Sequence, residues 1–158
     1  MRHYRINSPQ AAGRIVALAL LADGHLCKRE LDVLDRLDAH GQLGLAQGEL
    51  HAVVHGFCDD LLATANGHWG AAFQLDARML SQLLSDVDDP VLRRRVLALC
   101  AAIVEADLHV AEGESLVLLA AIEHWGLAEA LQHAPARRLP VLSVQNPDHP
   151  SLAQTWPF

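Results

Sequence analysis

Two short stretches of this 158-residue sequence carry the same acidic spacing. The first, ADGHLCKRELDVL from Ala22, places Asp23, His25 and Glu30; the second, ADLHVAEGESLVL from Ala106, places Asp107, His109 and Glu114 at the same intervals without a gap. Carboxylate oxygens are the donors that a hard divalent cation takes, and the imidazoles of His25 and His109 add nitrogen donors for a softer one. The glutamates have a second employment. Glu30 and Glu114 fall at about the third position of a following helix, where a carboxylate completes a capping box and is favoured by the helix dipole. Asp23 and Asp107 stand at the C-terminal end of a preceding helix, the unfavourable side of that dipole, and do so in both copies. Ligand and cap are both open for the glutamates, and the aspartates tilt the pair toward a function.

Other residue patterns carry less. An EF-hand fails on spacing, since counting from Asp23 puts Cys27 at the fifth loop position and Leu34 at the twelfth, where a bidentate carboxylate belongs. His51, His55 and Asp59 recur every four residues and face one way on a helix, a spacing able to hold zinc. Ala52 stands where an HExxH glutamate would be, so protease chemistry has no base. Ser115 lacks the flanking glycines of a nucleophile elbow, and neither GxGxxG nor a P-loop occurs. Cys58 beside Phe57 reads as a packed thiol rather than an activated one.

The bulk composition bounds the rest. Hydrophobic residues make 51% of the chain and charged ones 20%, a balance that builds a core and one domain. A net charge of −7 argues against nucleic acid as a partner, because phosphates need a basic face; Arg93 to Arg95 and Arg137 to Arg138 read as solvated or capping charges. Cys27, Cys58 and Cys100 are odd in number and widely spaced, which suits reduced thiols. The runs Ile15 to Ala22 and Val96 to Val104 are too short to cross a membrane, and the basic N-terminus leads into Asp23 without a cleavage site. A cytoplasmic protein is expected.

Helical spacing positions the acidic stretches. Ser8 and Pro9 open a helix to about Ala22; a second is expected over 28–40 with Leu31, Leu34 and Leu37 inward, broken by Gly41 and Gly44. Leu50, Val53, Val54, Phe57 and Leu61 form the stripe of a third. Asp76 caps a fourth carrying Met79, Leu80, Leu83, Leu84 and Val87, and Asp89 with Pro90 opens a fifth to about Ala106. A sixth follows over 112–125, closed by Gly126, with a short seventh over 127–133. No period-two stretch is long enough for a strand, so the fold expected is all-α, a compact bundle of about seven helices with an internal pseudo-twofold repeat over 1–133. RIVALALL and VLALCAAIV, the helices before the two acidic stretches, are apolar nearly all round and should lie at its heart. From 134 to 158 five prolines predict an extended arm, with Trp156 and Phe158 either folded back on the bundle or docked in a partner.

An apolar helix, then ADGHL with Glu30, and again an apolar helix, then ADLHV with Glu114, resembles the tellurite-resistance TerB-like domains, in which such a unit occurs twice. The resemblance spans about residues 9 to 133. It implies an α bundle of about seven helices, an acidic surface that binds a divalent metal ion, and no catalytic activity. It further implies a role in bacterial tellurite resistance or stress response alongside partner proteins, near the membrane face without a transmembrane segment. Two departures stand out: Cys27 and Ala111 occupy places where the family carries an oxygen-bearing cap, and Leu108 matches Gly24. The alternative is a structural interaction domain whose carboxylates are helix caps and whose Trp156 to Phe158 tail mediates self-association.

Overall fold

Ser8 holds an extended backbone and its Oγ accepts from the Ala11 N–H at 3.1 Å, with Pro9 pre-set in the first turn, and from there α1 runs Pro9–Leu21. Every side chain from Ala11 to Leu21 is buried, so this helix is enclosed on all sides as its composition demands. A computed structural model describes residues 1–22, 28–65, 76–106 and 112–128, with the backbone alone at 106 and 112–115. The described elements are all helical: α1, then α2 Lys28–Arg36, α3 Ala39–Leu43, α4 Glu49–Thr64, α5 Ala77–Ser85, α6 Pro90–Ala106 and α7 Glu112–His124. The expected short helix over 127–133 and the proline-rich arm lie outside these residues beyond Ala128.

α1 packs against α3, α4, α5, α6 and α7, and its residues sit in one core cluster with Leu34, Phe57, Leu84, Leu99, Ile103 and Val117. The third expected helix is α4, with all five stripe residues buried. α5 and α6 begin as the caps predict: the Arg78 N–H donates to Asp76 Oδ1 at 3.1 Å and the Leu92 N–H to Asp89 Oδ1 at 2.7 Å.

The single helix expected over 28–40 is two. α2 ends at Arg36, Asp38 takes a left-handed backbone with φ 51°, and α3 starts at Ala39 to close at Gly44 with φ 80°. Leu34, Ala39 and Leu43 are buried while Leu37 is 38% exposed, so the break re-aims the chain and brings Ala39 and Leu43 into the core. A continuous helix would have spent the inward position on Leu37 instead. Gly41 lies inside α3 and is not a breaker.

α6 also differs from its expectation. Among its described side chains only Val96, Leu99, Cys100 and Ile103 are fully buried, a single stripe, while Leu97 and Ala101 are half-buried and Ala98 is exposed. The apolar circumference of α6 therefore has an inner face in the core and an outer face that the described residues leave open.

Candidate functional site

The helices that lead into the two acidic stretches are tied together at their starts. Asn7, with φ 60°, receives the Asp88 and Asp89 N–H groups on Oδ1 at 2.8 and 2.9 Å, donates its side-chain amide to Asp88 Oδ1, and donates its own N–H to the Asp86 carbonyl at 2.8 Å. Asn7 immediately precedes the Ser8 cap of α1, and Asp89 caps α6. Because α1 and α6 share this corner and remain packed together, they run in the same general direction. The following helices pack across the copies: α2, behind the first acidic stretch, lies on α6, and α7, behind the second, lies against both α1 and α6.

Of the residues expected to bind metal, Glu30 has a described side chain. It is the third residue of α2, 1% exposed, on the same inward face as Leu34 four residues later. A carboxylate removed from water costs several kcal/mol unless its oxygens are engaged, and Glu30 does have an interaction partner. Asp23, His25, Asp107 and His109 lie outside the described residues; Glu114 lies in α7 where only the backbone is described, and Trp156 and Phe158 lie beyond Ala128.

The histidine stripe of α4 does not assemble. His51 Nε2 turns to Asp35 Oδ1 of α2 at 3.5 Å, His55 points to solvent, and no group of three or more metal-ligating side chains forms among the described residues. Cys58 is half-buried; loss of solvent and then the neighbouring Asp59 carboxylate push its thiol up, the wrong direction for a nucleophile. Ser85 Oγ lies 3.2 Å from His124 Nε2. Its hydroxyl donates to the Ser81 carbonyl at 2.8 Å, so the imidazole meets an oxygen whose proton is already committed.

A buried cation stands where the sequence reading had none. Arg14, 3% exposed in the middle of α1, donates through Nη1 to the Arg2 carbonyl at 2.6 Å and pairs through Nη2 with Asp86 Oδ2 at 2.7 Å. Its guanidinium lies 4.9 Å from the centre of the Tyr4 ring. The signal was present, since an arginine within an otherwise apolar helix that is buried all round must find a partner inside. The partner is a C-cap residue 72 positions away, which no local pattern names. Two members of the arginine run are likewise structural: Arg93 donates to the Val87 carbonyl at 2.9 Å and lies over the Trp125 ring, and Arg95 donates to the Gln42 carbonyl at 3.1 Å.

Among the described residues, no helix is long and apolar enough to cross a membrane. Compared with models of known protein families, with curated proteins and with solved structures, the chain finds no match.

Proposed function

We propose that this chain is a non-catalytic binding module of TerB-like type that takes a divalent cation, or a partner protein through that cation, at its paired acidic stretches. The observation that carries the reading is the common start of the two apolar helices: α1 and α6 leave one corner and run together, with α2 packed on α6 and α7 packed against both. Helices so arranged direct their C-terminal ends to the same side of the bundle, and the two acidic stretches leave from those ends. Asp23, Glu30, Asp107 and Glu114 would supply the oxygen donors, with His25 and His109 as nitrogen donors. A bound cation would relieve the repulsion of clustered carboxylates and link the two copies. Tellurite or other stress response in a bacterium is the physiological setting that the resemblance suggests.

The test is thermal melting of the protein and of the Asp23→Asn, Asp107→Asn double variant with calcium, magnesium, manganese and zinc. A cation at about 100 times its dissociation constant adds roughly 2.7 kcal/mol to the folded state. Wild type should shift and the double variant should not. If the aspartates are only helix-end charges, the double variant is neutral or slightly more stable and both proteins respond equally to every cation, which sinks the proposal.

A further inference from the structure

The outer face of α6 and the neighbouring face of α7 form an apolar groove of about 410 Å³, lined by Arg94, Leu97, Ala98, Ala101, Leu118, Ile122 and Leu127. Its floor is short, since Ala98 and Ala101 lie one turn apart on α6, and its walls are the longer Leu97, Leu118 and Ile122. The result is a hollow with a cation at its rim. Beyond it α7 leaves Leu116 61% and Leu119 55% exposed, which extends the apolar surface. A core helix that turns part of its apolar circumference outward needs a cover.

The chain carries a suitable occupant. Leu127 is a wall of the groove, and the sequence continues from there into Leu139, Val141, Leu142, Val144, Leu152, Trp156 and Phe158, interspersed with prolines. The tether from Leu127 to Trp156, roughly thirty residues, has a root-mean-square reach of about 30 Å as a flexible chain. An occupant rooted at the rim is therefore present at an effective concentration in the millimolar range, ahead of any second copy at ordinary protein concentrations. Shape and charge select among its residues. A hollow floored by alanine takes a bulky flat ring, and an arginine at the rim completes it by stacking on the ring face. The fold already uses this pairing where Arg93 lies 5.7 Å from the centre of the Trp125 ring.

We propose that the α6/α7 groove is the docking site of the chain's own C-terminal arm, with the Trp156 indole over Ala98 and Ala101 and beneath Arg94. The arm is then an intramolecular cover for an apolar face, independent of any cation at the acidic stretches.

Tryptophan fluorescence of the full-length protein tests it. Subtracting the spectrum of the Trp156→Phe variant isolates the emission of Trp156 from that of Trp69 and Trp125. The expected result is a blue-shifted component, unchanged across a wide dilution series, that moves to the red in Ala98→Asp. Ala98 is exposed on α6, so the substitution puts a charge in the hollow and leaves the core untouched, which far-ultraviolet circular dichroism checks. Solvent-like emission of Trp156 in the otherwise unaltered protein overturns the proposal. So does a blue shift that fades on dilution, which assigns the groove to a second copy, and so does a blue shift indifferent to Ala98→Asp, which places the indole elsewhere.

Discussion

At the scale of single residues, the chain concentrates its polar commitments at a few buried points. Arg14 is the clearest, a guanidinium inside the central helix with one carboxylate partner, Asp86, that is itself 31% exposed. Removing the partner leaves a buried charge unpaired, so Asp86→Ala should lower unfolding stability by about 3 kcal/mol; Arg14→Leu combined with it should recover much of the loss. Denaturant midpoints of the single and double variants decide this, and additive losses would show that the pair is not the source. Cys100 has the opposite character. Full burial pushes its thiol up to about 12, so it stays neutral and inert in the folded protein. The unfolded chain releases that proton from about pH 9 upward while the folded chain keeps it, so the folded state loses stability as pH rises from about 9 to 12. The loss approaches about 1.4 kcal/mol per pH unit, and Cys100→Ala should lack it. Chemical denaturation of both proteins across that window is the check, with parallel pH profiles as the contrary result.

Among the elements, α6 decides how the two halves of the repeat meet, because it touches α1, α2, α3 and α7. Its inner stripe carries the energy. Leu99→Ala and Ile103→Ala each leave a cavity under a fully buried side chain and should cost about 2 to 5 kcal/mol, whereas Lys28→Ala on the exposed edge of α2 should cost little. Denaturant midpoints for both α6 variants that match the parent protein would contradict the central place of this helix. The start of α4 shows how a short loop reads into an element. The Ala46 N–H and the Gln10 amide hold the Glu49 carboxyl below its ordinary range, with the backbone contact dominant, and this fixes the entry of α4 beside α1.

For the whole molecule, the described residues already form one continuous core. Its members run from Ala11 to Trp125, and the Trp125 indole N–H donates to the Leu84 carbonyl at 2.9 Å, fastening α7 to the end of α5. Truncation after Ala134 should therefore leave a helical protein with a sigmoidal thermal melt. A broad, non-cooperative melt of the truncated chain would show that the arm belongs to the core. If the arm covers the α6/α7 groove, the truncated protein should melt at a lower temperature yet keep its cooperativity, since an outer face is uncovered and the inner stripe is not.

Read alone, the sequence determined the helical class, most helix starts and the inner stripe of α4, because capping chemistry and apolar spacing are local: Ser8, Asp76 and Asp89 each bond an N–H two or three residues ahead. It also displayed the repeat, since the two acidic stretches match without reference to anything else. The tertiary structure alone decided that the helix after the first stretch breaks at Asp38, because Ala39 and Leu43 reach the core only if the chain turns there. Leu37 is left outside as a result. It alone chose the partner of Arg14, the inward burial of Glu30 and the turning of His51 toward Asp35 instead of His55. It alone divided α6 into an inner and an outer face, because an apolar helix looks the same all round until its neighbours are placed. Those outcomes depend on contacts between segments far apart in the chain, where geometry and not local preference sets which side chain is enclosed.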